Sequence, residues 1–275
     1  VALAAGLPDP WWPSRLRRFA ALVRAERRFY QAYTGFLSGW FDKLRGRVVS
    51  HQVVDPWAVE SMRGAFRLGV DPIVDTVVRE IVDDGFSYVM LHTPVPTSYV
   101  DNYLQGVSNR LSNVPDGVFA LVRKEVQAAT NEGWSIDQLA ARVHTILDDN
   151  EVATWRNRAL VIARTEAIGA YNAGTLAGFH GYAATAGGQW EKGWLCTHDA
   201  RTRPTHLAAD VGSAEGAQRV PLAAPFAVGA ALLDHPGAHG PAALAEEVIA
   251  CRCSMVLARP GEKIDLSNRH GKGKP

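Results

Sequence analysis

The first 195 of the 275 residues contain no cysteine, and the three that follow, Cys196, Cys251 and Cys253, cannot all pair with one another. The disulfide framework of a small secreted domain is thereby excluded, and a reducing compartment is the expectation. Long apolar runs are also missing: nothing approaches the roughly 18 consecutive apolar residues that a membrane-spanning helix requires. The opening Val1-Ala2-Leu3-Ala4-Ala5 is too short for a secretory signal and has no basic flank. It lacks an initiator methionine, as a processed or trimmed start would. With 47% hydrophobic and 21% charged residues, collagen-like and wholly disordered classes are excluded. The length suits one large or two modest domains, each able to bury a core.

Net charge is close to absent, at +1, but that figure conceals a division. Residues 1–47 hold nine Lys/Arg against three Asp/Glu, residues 252–275 hold six against two, and the body between them carries 14 basic and 23 acidic groups. Basic ends on an acidic body permit contact with nucleic acid or an acidic protein face at the ends, and argue against a uniformly DNA-coated surface. The alternative is that the ends are simply solvated.

Residues 14–39 read as an amphipathic helix capped by Ser14. Leu16, Phe19, Val23, Tyr30, Tyr33 and Leu37 form its apolar stripe, and Glu26 interrupts it. Arg15, Arg17, Arg18, Arg24, Arg27 and Arg28 fill much of the remaining circumference and are candidate contacts to a partner or to DNA. The aromatic excess (Trp11, Trp12, Phe29, Tyr30, Phe36, Trp40, Phe41) fits either a face that meets a partner or docking onto the chain's own body. Asp55-Pro56 and Asp71-Pro72 each read as a helix start. Ile73, Val77, Val78, Ile81 and Val82 then give one apolar face. The segment His92-Thr-Pro-Val-Pro-Thr reads as a hinge or a boundary, because two prolines in six residues exclude helix interior. Helical spacing resumes over 97–113 and 117–131, and Ser135 with Gln138 fits a capping box.

Residues 152–182 contain no proline, and small residues (Ala163, Ala167, Ala170, Gly174, Gly178) recur at steps of three and four. That predicts a long central helix with a strip another element can approach closely. Arg164, Glu166 and Asn172 are polar groups on this element, and hydrogen bonding to the C-terminal third is their expected use. Strands are expected at 189–197 and 248–257, with only weak signals over 204–243. The fold class is therefore α+β: a mostly helical N-terminal two-thirds and a small mixed C-terminal domain.

Candidate chemistry gathers in Cys196-Thr-His198-Asp-Ala-Arg201-Thr-Arg203-Pro-Thr-His206 and in Cys251-Arg-Cys253. Thiols and imidazoles are the ligands Zn²⁺ prefers, four of them in a closed structural site. A Cys-x-Cys pair clamps one ion only in extended chain or a turn, since helical spacing would splay the two by roughly 200°. The competing reading is of buried thiols acting as small hydrophobes, with His206 hydrogen-bonded in the core. Asp199 fits a turn knot with Arg201 or turn amides, ahead of a short helix capped by Thr202 with Pro204 in its first turn. Asp199 and His206 can also be written as a base–acid pair at an open metal site, a hydrolase or nuclease. No nucleophile elbow, phosphate-cradling loop or HExxH helix accompanies them, so no enzyme is expected. A free DNA-binding module using both basic ends is a third possibility.

The ordered set Ala163-Arg-Thr-Glu-Ala-Ile-Gly-Ala-Tyr-Asn-Ala-Gly, Trp194, Asp199-Ala-Arg-Thr-Arg-Pro-Thr-His206, a Pro-Gly at 236 and Cys251-Arg-Cys253 resembles the phage Mu F-like (MuF) minor head proteins over roughly residues 117–258. The resemblance implies a tailed-phage minor capsid or head-morphogenesis protein. Such a protein sits in few copies inside the virion capsid, after assembly in the bacterial host cytoplasm. Its implied partner is the portal protein, with packaged DNA and the major capsid protein as further candidates and no membrane. It would influence assembly and DNA packaging or ejection. The family's recurring residues fall on Arg164, Glu166, Asn172, Asp199, Arg201, His206, Cys251 and Cys253, as scaffold or metal positions. Cys196 and His198 lie outside that pattern, which favours a His206/Cys251/Cys253 core with a fourth ligand such as Asp199. The division that follows is a basic aromatic arm (1–47), a helical connector (48–116), the MuF-like domain (117–258) and a flexible basic tail (259–275).

Overall fold

The computed structural model describes residues 15–50, 56–91, 93–112, 116–132, 135, 137–138, 141–142, 145, 156–214 and 217–264. Expectations for Ser14, the start of the long helix at 152–155 and the tail beyond 264 lie outside these residues. Within them, a mostly helical N-terminal two-thirds precedes a small mixed C-terminal region, as the spacing predicts. No described helix is long and apolar enough to cross a membrane.

The chain forms two compact units that interleave along the sequence. One takes Phe29–Arg79 and Asp101–Ala163; the other takes Val1–Arg28, Glu80–Val100 and Arg164–Pro275.

In the first unit, the second half of α1 (Arg15–Ser50) meets α2 (Pro56–Ile73). Phe29, Tyr33, Leu37, Trp40 and Phe41 are buried with Met62, Phe66 and Val70. The Phe66 ring takes Phe36 and Trp40 edge-on, each at 5.0 Å. Trp40 donates its indole N–H to the Met62 carbonyl at 3.3 Å. Phe29, Trp40 and Phe41 thus pack on the chain's own body, Tyr30 and Phe36 are half-buried, and Trp11 and Trp12 lie outside the described residues. The buried stripe is also offset from the expected one: Leu22, Ala25 and Phe29 lie inside, and Val23 is 47% exposed.

Pro56 opens α2, as the first-turn preference of proline predicts. Pro72 does not open a helix. It sits inside α2, and the chain continues through a π-helical turn, Val74–Val78, into α3 (Arg79–Ser87). A mid-helix proline removes one ladder hydrogen bond and crowds the carbonyl four residues back, and a widened turn is a common way to absorb that. The apolar face shifts with it, burying Val74, Val78, Ile81 and Val82 and leaving Ile73 and Val77 half-buried. The helices α4 (Thr97–Ser112) and α5 (Asp116–Glu132) follow. Beyond α5, the Ser135 amide donates to Gln138 Oε1 at 2.9 Å and the Gln138 amide to Ser135 Oγ at 3.2 Å, the reciprocal pair of a capping box.

The second unit is organised by α6 (Arg156–Ala186). Its strip of small residues is buried, and Gly174 and Gly178 lie against the backbone of α3 and the turn after it. Gly187 and Gly188 end the helix at φ 66° and 82°, the left-handed region that glycine enters without penalty. Arg164 makes a bidentate pair with Glu26 of α1, at 3.1 and 2.6 Å. Glu26 thus breaks the α1 stripe because it has a specific partner 138 residues away.

The C-terminal part is a three-stranded antiparallel sheet in the order β2-β1-β5, formed by β1 (Glu191–Leu195), β2 (Arg219–Pro221) and β5 (Ser254–Ala258). Beside it is a hairpin of β3 (Phe226–Val228) and β4 (Ala231–Leu233). Two short helices, α7 (Pro204–Ala209) and α8 (Ala245–Val248), flank the strands. In the central strand Trp194 pairs with Met255 and Gly193 with Val256. The second expected strand, 248–257, forms only from Ser254, because α8 and a turn occupy its first half.

Lys192 is only 1% exposed in β1, with Nζ donating to the Asp234 carbonyl at 2.7 Å and lying 5.0 Å from the Phe226 ring centroid. Burial pushes its pKa down from 10.5 to about 8. Between those two values the unfolded chain holds a proton that the folded chain has lost, so Lys192's contribution makes stability rise with pH across that window. The full span is on the order of 3 kcal/mol. Denaturant titrations from pH 7.5 to 10.5 are expected to show this slope in the wild type relative to Lys192→Met. Parallel pH profiles for the two would refute the buried-ammonium account.

Candidate metal centre

Four segments of the second unit converge at one buried point. α7 begins at Pro204 with Arg203 as its cap residue, so Thr202 is not the cap. The Thr202 hydroxyl instead accepts the Asp199 amide at 3.2 Å, closing the turn before the helix. One turn into α7, His206 points inward at 2% exposure, with its ring edge-on to Trp194 at 5.3 Å. After α8, Ala250 adopts a φ of 55°, unusual for a residue with a side chain, and its amide donates to Thr165 Oγ1 of α6 at 2.9 Å. That kink delivers Cys251 and Cys253 in irregular chain just ahead of β5, the non-helical setting that a Cys-x-Cys clamp requires.

His206, Cys251 and Cys253 are all buried, and their ligand atoms lie within 4.8 Å of one another. The Cys253 sulfur is 3.3 Å and the Cys251 sulfur 3.8 Å from His206 Nδ1. With zinc–sulfur bonds of ~2.3 Å and zinc–nitrogen bonds of ~2.05 Å, a tetrahedral S–N edge is ~3.6 Å, between those two distances. The Cys253 amide also points at the Cys251 sulfur, at 3.5 Å. Hydrogen bonds from Cys253 and His206 hold the Cys251 thiol well below its ordinary pKa, while burial pushes Cys253 well above. Donor type, spacing and burial fit Zn²⁺.

Asp199 is not part of this group. Its carboxylate is engaged by the Arg252 guanidinium and accepts the Arg201 amide at 2.9 Å. Burial pushes the Asp199 carboxyl up, but the Arg252 and Arg201 contacts outweigh it and hold the pKa below its usual value. Asp199 thus sits in a turn with Arg201 and Arg252, apart from the group of His206, Cys251 and Cys253. Arg201 takes part through its backbone, its side chain being exposed. His198 stands outside the cluster with Nε2 3.1 Å from the buried Asp210.

Asn172 reaches into the C-terminal third, its Nδ2 donating to the carbonyls of Pro236 and Cys253 at 3.0 and 2.9 Å. Glu166 is buried with Oε1 3.9 Å from His239 Nε2. Arg164 turns the other way, to Glu26. Of the basic residues on α1, Arg24 and Arg27 are exposed. Arg28 is engaged by Glu80 at 3.1 Å and Asp84 at 2.7 Å. The side chains of Arg15, Arg17 and Arg18 lie outside the described residues.

Sequence reasoning missed Glu247, Asp210 and Thr165. Glu247 is one of two adjacent glutamates in a four-residue helix, with no spacing that marks it. Asp210, with no exposed surface, accepts the Cys196 amide at 2.7 Å and the Gly212 amide at 2.8 Å.

The family described as "Phage Mu protein F like protein" matches residues 120–256. Comparison with curated proteins and with solved structures finds no match. The matched span takes in the His206, Cys251 and Cys253 cluster, the long helix α6 and the three-stranded sheet up to Val256 of β5. Residues 120–256, just under half of the chain, are similar to the Phage Mu protein F like family.

Proposed function

We propose that this chain is a minor head protein of a tailed phage, held in few copies inside the capsid beside the portal, where it aids assembly and DNA packaging or ejection. The observation that carries this reading is the family match over residues 120–256. The family match gives a general head-morphogenesis role, structural rather than catalytic. The portal contact, the genome contact and the four-part division of the chain are the finer parts of the proposal.

The charge division supports them. An acidic body inside a DNA-filled head is repelled by the genome, so adhesion falls to the basic end. Contacts of Arg15, Arg17, Arg18, Arg24 and Arg27 with phosphates would be sequence-independent and salt-sensitive. Contacts with an acidic portal face would use the same charges.

Deleting residues 1–47 is a poor test, because Phe29, Tyr33 and Trp40 are core residues. Reversing charge at exposed positions leaves that core intact. Particles assembled with Arg24→Glu/Arg27→Glu are expected to carry several-fold fewer copies of the chain and to retain less portal in pull-downs, with an unchanged melting temperature. Full occupancy with full portal retention would refute the docking assignment. Loss of occupancy without loss of portal binding would move the contact to the genome.

A further inference from the structure

We infer that the zinc site is a closed Cys₃His centre in which Cys196 is the fourth ligand and Glu247 positions His206. Cys196 ends β1 and is 3% exposed, and its backbone is fixed where its amide meets Asp210. Its sulfur lies 3.8 Å from that of Cys253. A tetrahedral S–S edge built from ~2.3 Å bonds is ~3.8 Å. Three edges of near-tetrahedral length are present, Cys196–Cys253, Cys253–His206 and Cys251–His206. Cys196 stands outside the group of His206, Cys251 and Cys253 whose ligand atoms all lie within 4.8 Å of one another, and its thiol donates to the His206 carbonyl at 2.7 Å, a bond it gives up on ligating. Asp199 could supply a competing oxygen, but Arg252 holds its carboxylate elsewhere.

Glu247 completes the arrangement from the far side of the imidazole. His206 turns Nδ1 to the sulfurs and Nε2 to Glu247 Oε2, which lies 3.0 Å away at hydrogen-bond distance though imperfectly directed. The carboxylate is itself fixed, since Thr205 donates its hydroxyl to the same oxygen at 2.8 Å. Gly229, at φ 57°, leaves room for it, because a β-carbon there would fall 2.3 Å from Glu247 Oε1. A histidine that ligates through one nitrogen and donates from the other to a carboxylate has its tautomer and ring plane set in advance, and losing that partner typically costs 10- to 100-fold in metal affinity. With four protein ligands the site keeps no open position for substrate, so its role is to tie β1, α7 and β5 together. The site does not depend on where the chain sits in a particle, so its failure leaves the head-protein reading standing.

Full-length chain expressed with zinc is the material for the test. X-ray absorption at the zinc edge is expected to give three sulfurs and one nitrogen. Two sulfurs would remove Cys196, and a chain without zinc would overturn the whole inference. In chelator competition, Glu247→Ala is expected to release zinc about 10- to 100-fold more readily, and Glu247→Gln, which keeps an acceptor, to recover most of the loss. Unchanged affinity in Glu247→Ala would overturn the positioning role. Should that variant fail to fold, nitrogen NMR of the unmutated zinc-loaded chain decides: metal on Nδ1 with a proton on Nε2 supports the role, and the reverse refutes it.

Discussion

Gly174→Ala is expected to cost about 3 kcal/mol or more, at or above the usual upper range for overpacking. Alanine is the better helix former by about 1 kcal/mol, so propensity alone would give the opposite sign. The cost comes from geometry. A β-carbon at Gly174 would lie 2.0 Å from the Val82 carbonyl oxygen and 2.9 Å from the Phe86 amide nitrogen. Gly85 meets α6 reciprocally, its β-carbon position being 2.1 Å from the Tyr171 carbonyl oxygen. Thr175 adds a hydrogen bond across the same crossing, donating to the Tyr171 and Gly85 carbonyls at 2.9 and 3.3 Å. Both obstacles are backbone in packed helices, which cannot turn aside as a side chain can. Gly181 is the control, because there the nearest atom is the flexible Met90 side-chain end at 3.5 Å. Gly181→Ala should be neutral or slightly stabilising. Denaturant midpoints of the two variants measure the difference, and equal midpoints would mean that the helices do not approach so closely. Against a typical total stability of about 5–15 kcal/mol, the Gly174 variant is expected to be partly unfolded at elevated growth temperature.

That crossing shows what could be read from one sequence. Small residues at steps of three and four on α6 announced a close neighbour, because the period of a helix is a local property. Which element would be the neighbour was not legible, since it depends on a helix some 90 residues earlier. Glu26 behaves the same way. It was visible as a fault in the α1 stripe, and only Arg164 explains it. The α1 aromatics were legible as a surplus, yet the choice between self-docking and a partner needed Met62 and Phe66 in place. At the metal centre, residue chemistry named His206, Cys251, Cys253 and Cys196. It also offered Asp199 as a fourth ligand, since Asp199 falls on a recurring family position and Cys196 does not; the placement of its carboxylate against Arg252 depends on a residue 53 positions away. Glu247 has no sequence signal, since an outer-shell residue is selected by position around the histidine rather than by spacing from it.

Asn172 is where fold and metal centre meet. Asn172→Ala is expected to lose about 2–5 kcal/mol and to weaken zinc retention as well. The side chain has no exposed surface, and its Nδ2 serves two carbonyls that have come from Pro236 and Cys253. Truncation leaves both oxygens buried without that donor, at about 1–3 kcal/mol for each such group. The second carbonyl belongs to a residue of the candidate metal site, so the backbone that aims the Cys253 sulfur loosens at the same time. Asn172→Asp separates this account from simple loss of volume. It is nearly isosteric, but at neutral pH it turns a carboxylate onto two carbonyl oxygens, so it is expected to be worse than alanine. Protonation returns one donor, and burial raises the carboxyl pKa in the folded state. The folded chain then binds a proton that the unfolded chain has released, so stability of this variant should rise as pH falls through that raised value. Wild type has no such group at this position. Unfolding titrations of the three chains from pH 5 to 8 supply the comparison. If Asn172→Asp is the milder variant and keeps a wild-type pH profile, Asn172 does not clamp these two carbonyls.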